Sequence, residues 1–156
     1  MLSVQNNNFF QKMFGRFEEL CRDFASGAIG QPIRSIEYLD IIPEVYTKKD
    51  KDDLKPLCLN ATLSKGKRCS ISMQSVTSME ILLVRVPMDD FPVKDKSKLC
   101  KKRYVIYICS FDPFGQDQIM YEMDGIDGKK GIDYILFNTK ASELIAGLCL
   151  QGNCLH

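Results

Sequence analysis

Tyr104-Val105-Ile106-Tyr107-Ile108-Cys109-Ser110-Phe111-Asp112-Pro113-Phe114-Gly115 is the stretch that decides the fold. The residues before Asp112 are apolar or aromatic apart from Ser110, which is typical of a strand buried on both faces. The proline and glycine that follow favour a turn, so we expect the strand to end at Asp112. The sequence therefore predicts a central strand over residues 104–111, and the rest of the chain must supply its neighbours and its cover.

Two shorter stretches before this strand predict a β-hairpin. Residues 57–63 alternate between two kinds of side chain, as in a half-buried strand, and residues 69–74 continue after a turn that contains Gly66. A loop over residues 65–67 would pair position 58 with position 74, and position 60 with position 72. One face of the hairpin would then carry the side chains of Cys58, Asn60, Ser72 and Gln74.

The remaining segments predict helices and strands around this core. Apolar residues recur at spacings of three and four over residues 9–29, which indicates one amphipathic helix. Residues 34–46 are predicted to be extended, and residues 75–86 to form a short helix that Pro87 and Pro92 limit. Further strands are predicted at 119–123 and 134–137, and a final helix at 140–150. This order predicts a single α/β (α+β) domain over residues 1–156, with a mixed central β-sheet flanked by helices.

Composition excludes several classes of protein. The net charge is +1, from 21 basic and 20 acidic residues, so there is no long-range attraction to nucleic acid or to a membrane surface. Residues 1–10 have neither a basic start nor a long apolar run, and we expect no secretory signal and a cytoplasmic location.

The seven cysteines form no CxxC pair, which argues against a zinc finger or ribbon. Several lie in apolar segments, so we expect reduced, buried thiols that pack as small hydrophobic groups. Near the end of the chain, Cys149, Cys154 and His156 lack a fourth ligand for a metal ion. The sequence therefore predicts neither a metal site nor a cofactor.

Charge is segregated along the chain. The segment 94–103 is strongly basic, whereas the acidic residues between Asp112 and Asp127 have no lysine or arginine among them. A run of charges is most simply interpreted as a solvated surface. The functional interpretation is that it contacts phosphates, a protein partner or another copy of the chain. The candidate nucleic-acid or partner-binding residues are Lys94, Lys96, Lys98, Lys101, Lys102, Arg103, Lys65, Lys67 and Arg68.

The decisive stretch resembles the "YVIFIC-FDPFG" segment of the PD-(D/E)XK nucleases known as recombination-promoting nucleases or transposases. Tyr121, Asp127-Gly128 and Ile135-Leu136-Phe137-Asn138 follow in the family's order. Upstream, residues 10–15, 57–62 and 69–74 resemble "FKKIFG", "LDVKAT" and "INIEMQ". The resemblance covers most of residues 7–140 and departs most between Gln74 and Arg103. It implies a restriction-endonuclease-like fold and a relationship to mobile elements.

Carried over residue by residue, the family's catalytic pattern is degenerate in this chain. The family's aspartate falls on Cys58, its glutamate on Ser72, and an acidic residue near the first helix on Asn7, while its glutamine is kept as Gln74. Magnesium prefers carboxylate oxygens, a thiol is a soft ligand, and serine and asparagine bring no charge. A nucleophilic role for Cys58 would need a base, and the single histidine is His156. The resemblance thus implies no catalytic residue here.

The favoured interpretation is a catalytically inactive nuclease-like protein that acts as a protein-interaction module. By analogy of fold, its partner would be a nucleic-acid enzyme or a defence nuclease that it inhibits. One alternative is a non-cleaving nucleic-acid-binding module whose basic residues contact phosphates. The other is a residual divalent-metal-dependent DNA endonuclease.

Overall fold

A computed structural model describes residues 7–42, 56–88, 91–124 and 131–140. The helices are α1 (Asn7–Arg16), α2 (Glu18–Ile29) and α3 (Met79–Met88), with a short 3-10 turn at Lys96–Lys98. The strands are β1 (Ile33–Tyr38), β2 (Leu57–Leu63), β3 (Arg68–Val76), β4 (Arg103–Cys109), β5 (Met120–Asp124) and β6 (Ile132–Asn138). They form one six-stranded sheet in the order β1-β2-β3-β4-β6-β5.

The sheet is mixed, as the sequence predicts. Strand β4 lies between β3 and β6 and is parallel to both, while β1, β2 and β5 pair antiparallel with their neighbours. The predicted α+β class is confirmed, and so is the position of β4 inside the sheet. No helix within the described ranges is long and apolar enough to cross a membrane.

Each face of the sheet carries its own hydrophobic cluster. The helical face packs under α1 and α2, and its strands contribute Leu59, Ala61, Ile71, Met73 and Ile106. The crossover face packs under α3 and the segment 91–99, which together connect β3 to β4, and its strands contribute Cys58, Val76, Val105, Tyr107 and Tyr134. Because side chains alternate along a strand, neighbouring residues of β4 serve different clusters.

The single helix predicted over residues 9–29 is wrong, because the chain breaks at Phe17. This residue is extended, with φ −114° and ψ 95°, and separates α1 from α2. The break turns Phe14 and Cys21 into the core and leaves Phe17 54% exposed. The helical spacing of apolar residues placed Phe14, Phe17 and Cys21 on one face. It gave no indication that the chain changes direction at Phe17.

The hairpin is confirmed, but its predicted register is wrong by two residues. Leu63 N donates to Lys67 O at 2.7 Å, so the loop occupies residues 64–66 rather than 65–67. Cys58 consequently lies opposite Ser72, and Asn60 opposite Ser70. A shift of two positions preserves the alternation of sides, so the predicted set of side chains still shares one face.

The short helix begins later than predicted, at Met79, because residues 75 and 76 complete β3. Pro87 lies inside its last turn rather than beyond it, and the helix ends at Met88, two residues later than predicted. The predicted strands at 119–123 and 134–137 are confirmed as β5 and β6. The part of the predicted extended segment beyond Ile42, and the final helix beyond Lys140, lie outside the described residues, as do Cys149, Cys154 and His156.

Candidate functional site

The hairpin brings three of the four positions compared with the family's catalytic pattern together on the crossover face. Cys58 and Ser72 are direct cross-strand neighbours, and Gln74 lies two residues further along β3. All three are buried, with Cys58 at 0% exposure. The fourth position, Asn7, begins α1, whose Phe14 packs into the cluster of the opposite face. The structure thus places the helix of Asn7 on the other side of the sheet from Cys58.

Apolar side chains fill the surroundings of Cys58. Phe91 and Val93, from the segment after α3, are 1% and 2% exposed and belong to the same cluster as Cys58. Leu82 of α3 and Leu39 join them. The segment that connects β3 to β4 therefore contributes apolar side chains to the same cluster as the hairpin.

The backbone fixes this cover in place. Val93 forms an isolated antiparallel bridge with Ile41, and Ile42 N donates to Pro92 O at 2.7 Å. The Lys96 ammonium donates to the carbonyl oxygen of Phe91. Arg103 lies over the Phe91 ring, with 5.6 Å between its guanidinium carbon and the ring centre. The cover is therefore held by hydrogen bonds and a cation–π contact as well as by apolar packing.

A buried polar network extends the attachment toward the start of β4. Ser70 donates its hydroxyl hydrogen to Asn60 Oδ1 at 2.6 Å, and Asn60 Nδ2 donates to Lys98 O at 2.9 Å. Cys100 N donates to Ser70 Oγ at 2.8 Å. These bonds satisfy two buried side chains and tie the basic segment to the hairpin.

The donor set around Cys58 does not fit a magnesium ion. A thiol, a hydroxyl and an amide lie among apolar side chains, whereas magnesium takes charged oxygen ligands and keeps part of its water shell. Within the described ranges, no group of three or more histidine, cysteine, aspartate or glutamate side chains is arranged to hold a metal. A phosphate-cleaving step through such an ion therefore has no support from these residues.

The cysteines of the described ranges behave mainly as packing residues. Cys21, Cys58, Cys69 and Cys109 are buried, as predicted, and Cys100 is partly exposed. Burial raises the pKa of the Cys21 and Cys69 thiols to about 11 and that of the Cys109 thiol to about 12. These three thiols are protonated at neutral pH and are poor nucleophiles there.

The predicted basic residues fall into two groups. Lys94, Lys96 and Lys98 lie exposed on the segment that covers the crossover face. The other six gather at the hairpin end of the sheet, which we define as the end with the β2–β3 turn and the starts of β4 and β6. This second group consists of Lys65, Lys67, Arg68, Lys101, Lys102 and Arg103.

Some cations of the hairpin end already have partners within the chain. Lys102 pairs with Asp133 and lies over the Tyr104 ring, and Arg68 is 3.9 Å from Glu37. Lys65, Lys67 and Lys101 are exposed. Arg34, at the start of β1, adds an exposed cation that sequence reasoning missed. The position of Arg34 could have been predicted, because a strand that is antiparallel to β2 begins beside the hairpin turn.

The acidic segment predicted between Asp112 and Asp127 does not form one patch. Asp112 and Asp117 lie at the loop end of the sheet, where β3, β4 and β6 finish and residues 110–119 follow β4. Asp124 ends β5 and is paired in register with Asp133 at the hairpin end. Antiparallel pairing of β5 with β6 carries the chain from one end to the other, and Asp127 lies outside the described residues.

Asp112 organises the loop end. Its carboxylate accepts hydrogen bonds from Gly115 N and Asp117 N, each at 2.9 Å, and from the Tyr121 hydroxyl at 2.6 Å. The Tyr121 hydroxyl and these backbone groups hold the pKa of the Asp112 carboxyl below its ordinary value. Gly115 has φ 65°, a conformation that glycine adopts without strain. The segment that follows β4 thus forms a hydrogen-bonded loop.

Comparison with known proteins gives no match: neither a family model, nor a curated protein, nor a solved structure matches the chain.

Proposed function

We propose that this chain is a catalytically inactive PD-(D/E)XK nuclease-like protein that acts by binding another protein. The observation that carries the proposal is the filled crossover face. Cys58 and Ser72 occupy the positions that would hold metal-binding carboxylates, and Phe91 and Val93 are packed into the same cluster. Restoring a metal site would require both new charges and the removal of this cover.

The loop end supports the interaction part of the proposal. Phe114 is 45% exposed and Ile119 is 41% exposed, yet both lie in a segment fixed by hydrogen bonds. Phe114 also packs edge-on against the Tyr121 ring, with 4.9 Å between the ring centres. Large apolar side chains that are exposed on a pre-organised loop lose little conformational entropy on binding, and such residues dominate protein interfaces. The resemblance favours a nucleic-acid enzyme as the partner class.

A cleavage assay tests the catalytic part. Plasmid DNA incubated with the protein and with magnesium or manganese should remain intact, and calorimetric titration with manganese should give no saturable heat. Cleavage that disappears in Ser72→Ala or Gln74→Ala, with Ser97→Ala as a matched exposed control, would overturn the proposal. Circular dichroism of each variant separates loss of activity from loss of fold.

A second candidate is a non-cleaving nucleic-acid-binding module, which the gathering of six cations at the hairpin end favours. Binding through phosphates alone is salt-sensitive and indifferent to sequence. Fluorescence anisotropy of labelled single-stranded and duplex DNA should then rise on adding protein at low salt. The double variant Lys65→Glu/Lys67→Glu should weaken that binding more than Lys94→Glu/Lys98→Glu. Unchanged anisotropy at low salt would remove this candidate.

A further inference from the structure

We infer that the chain associates head to tail with a second copy of itself, the loop end of one molecule docking on the hairpin end of the next. The inference rests on the proposed binding function and names a partner for the exposed loop. It draws on three observations: the exposed apolar and acidic side chains at one end of the sheet, the cations at the other, and an open cleft beside those cations.

The loop end offers an apolar projection with negative charge beside it. Phe114 and Ile119 are the exposed large apolar side chains of residues 110–119, and that segment contains Asp112 and Asp117 without a lysine or arginine. Asn138 pins the far side of the loop, since its backbone N–H donates to Ile119 O at 2.7 Å and its Nδ2 to Gln118 O at 3.1 Å. The projection is therefore held in one shape before any partner arrives.

The hairpin end offers a cleft with positive charge beside it. A shallow, open cleft of about 530 Å³ lies where α2 meets β1, and its lining includes the charged Arg22 and Asp23 as well as Ser26, Gly30 and Pro32. It adjoins the hairpin turn, because Ser64 N donates to Pro32 O at 3.2 Å. Lys65 and Lys67 of that turn are exposed. A Phe114 ring in the cleft would bring Asp117 of the incoming molecule toward these lysines.

One molecule cannot make this contact with itself. The two ends are separated by the length of β4, which has seven residues and hence spans about 20 Å. The surfaces are also different from each other, so the contact is heterologous and repeats from copy to copy, giving rings or open chains rather than closed two-fold dimers. Acidic and basic residues fit this arrangement because each copy contributes one of each surface.

Sedimentation velocity of the full chain across a range of protein concentrations tests the inference. The protein should show species larger than a monomer, and these should diminish as salt rises from about 10 mM to about 150 mM, because screening weakens exposed charge pairs. A loop variant, Phe114→Ala/Asp117→Asn, and a hairpin variant, Lys65→Glu/Lys67→Glu, should each associate at least about tenfold more weakly than the parent. The control Leu20→Ala/Lys12→Glu, which changes an exposed leucine and an exposed lysine on the two helices, should associate like the parent.

Mixing the two variants gives the decisive result. Each retains the surface that the other lacks, so the mixture should form a one-to-one complex and stop there, since the exposed ends of that complex are both altered. A parent that stays monomeric throughout, a variant that associates normally, or a mixture that stays monomeric would each overturn the inference. Loss of the larger species on adding duplex DNA without any effect of the loop variant would assign the hairpin end to nucleic acid instead.

These outcomes are separable from failure of the proposed function. A monomeric protein that leaves plasmid DNA intact contradicts only the head-to-tail contact, whereas cleavage of plasmid DNA contradicts the absence of catalysis whatever the state of association. If the loop variant fails to fold, as seen by circular dichroism, the hairpin variant mixed with the parent still decides. It should cap growing chains and lower the mean size of the parent species.

Discussion

The crossover face around Cys58 and the loop around Asp112 are both fixed within the fold, and they differ in how they accommodate polar groups. Cys58 lies in a cluster of buried apolar side chains. At Asp112 the carboxylate is present, and its oxygens accept from the chain's own N–H groups and from Tyr121. One region is thus stabilised by buried apolar side chains, and the other by hydrogen bonds to a charged carboxylate.

The most disruptive way to break this comparison is to place a carboxylate on the hairpin with Cys58→Asp. A charge at a position with 0% exposure is removed from water, so we expect the free energy of unfolding to fall by about 4 kcal/mol at pH 7. Burial raises the folded-state pKa of such an aspartate. The deficit should therefore be small at low pH, where both states are protonated, and grow as pH rises toward that raised pKa. Urea denaturation across pH measures it.

Cys58→Ser is the matched control, because it has nearly the same size and no charge. It should lose much less stability, with no comparable dependence on pH. An aspartate variant as stable as the parent, or one stabilised by manganese, would mean that the crossover face still accepts charge, and the contrast with the loop would disappear.

Phe91→Ala tests the segment that packs on the crossover face rather than the hairpin beneath it. The ring is 1% exposed and packs in the cluster of Cys58, so its removal should lower the free energy of unfolding by about 3 kcal/mol through lost burial and a residual cavity. Leu83→Ala, at a side chain that is 65% exposed on α3, should change it by less than about 0.5 kcal/mol. Equal effects of the two substitutions in urea denaturation would show that Phe91 does not fill the face.

Ser70→Ala sharpens the comparison at the polar edge of the cover. It removes the donor to Asn60 Oδ1 and the acceptor for Cys100 N, and so breaks two hydrogen bonds of the polar network. We expect a loss of about 1.5 kcal/mol. Ser64→Ala, whose hydroxyl is exposed and makes a long bond of 3.4 Å to Pro32 O, is the control and should be nearly neutral. Hydrogen exchange should also quicken at Cys100 in the first variant alone.

Much of the sheet could be predicted from the sequence because alternation and continuous apolar runs report directly on burial. The strands β2, β4 and β6 were placed within a few residues, and the face shared by Cys58 and Ser72 survived an error in register. That face depends only on whether the shift is odd or even. The register itself depends on the turn, and the sequence left open which three residues form the loop.

The cover of the crossover face could not be predicted, because it depends on contacts between segments far apart in the chain. Nothing in the residues around Phe91 indicates that Val93 bridges to Ile41, or that Arg103 lies over the ring. The break at Phe17 was not predicted for a similar reason. It depends on how Phe14 packs against the sheet, which the spacing of apolar residues along the helix does not reveal. The role of Asp112 was also missed. An aspartate that precedes a proline and a glycine is typical of a turn, and its carboxylate could have been expected to accept hydrogen bonds from nearby backbone N–H groups.

The smallest expected effect concerns that aspartate and is a matter of pH. Because the folded-state pKa of Asp112 lies below the ordinary value of 3.8, its contribution to stability is present above that value and is lost as pH falls through the lower, folded-state pKa. The amide signals of Gly115 and Asp117 in nuclear magnetic resonance spectra should then shift together, with a midpoint below 3.8. In Asp112→Asn this shared transition should vanish. Asp95 accepts from Ser97 N in the segment before β4, and its own titration below the ordinary pKa should be unchanged. A midpoint at or above the ordinary value would mean that the carboxylate is not held by the loop. The loop around Asp112 would then resemble the crossover face around Cys58, in that neither region would stabilise a carboxylate.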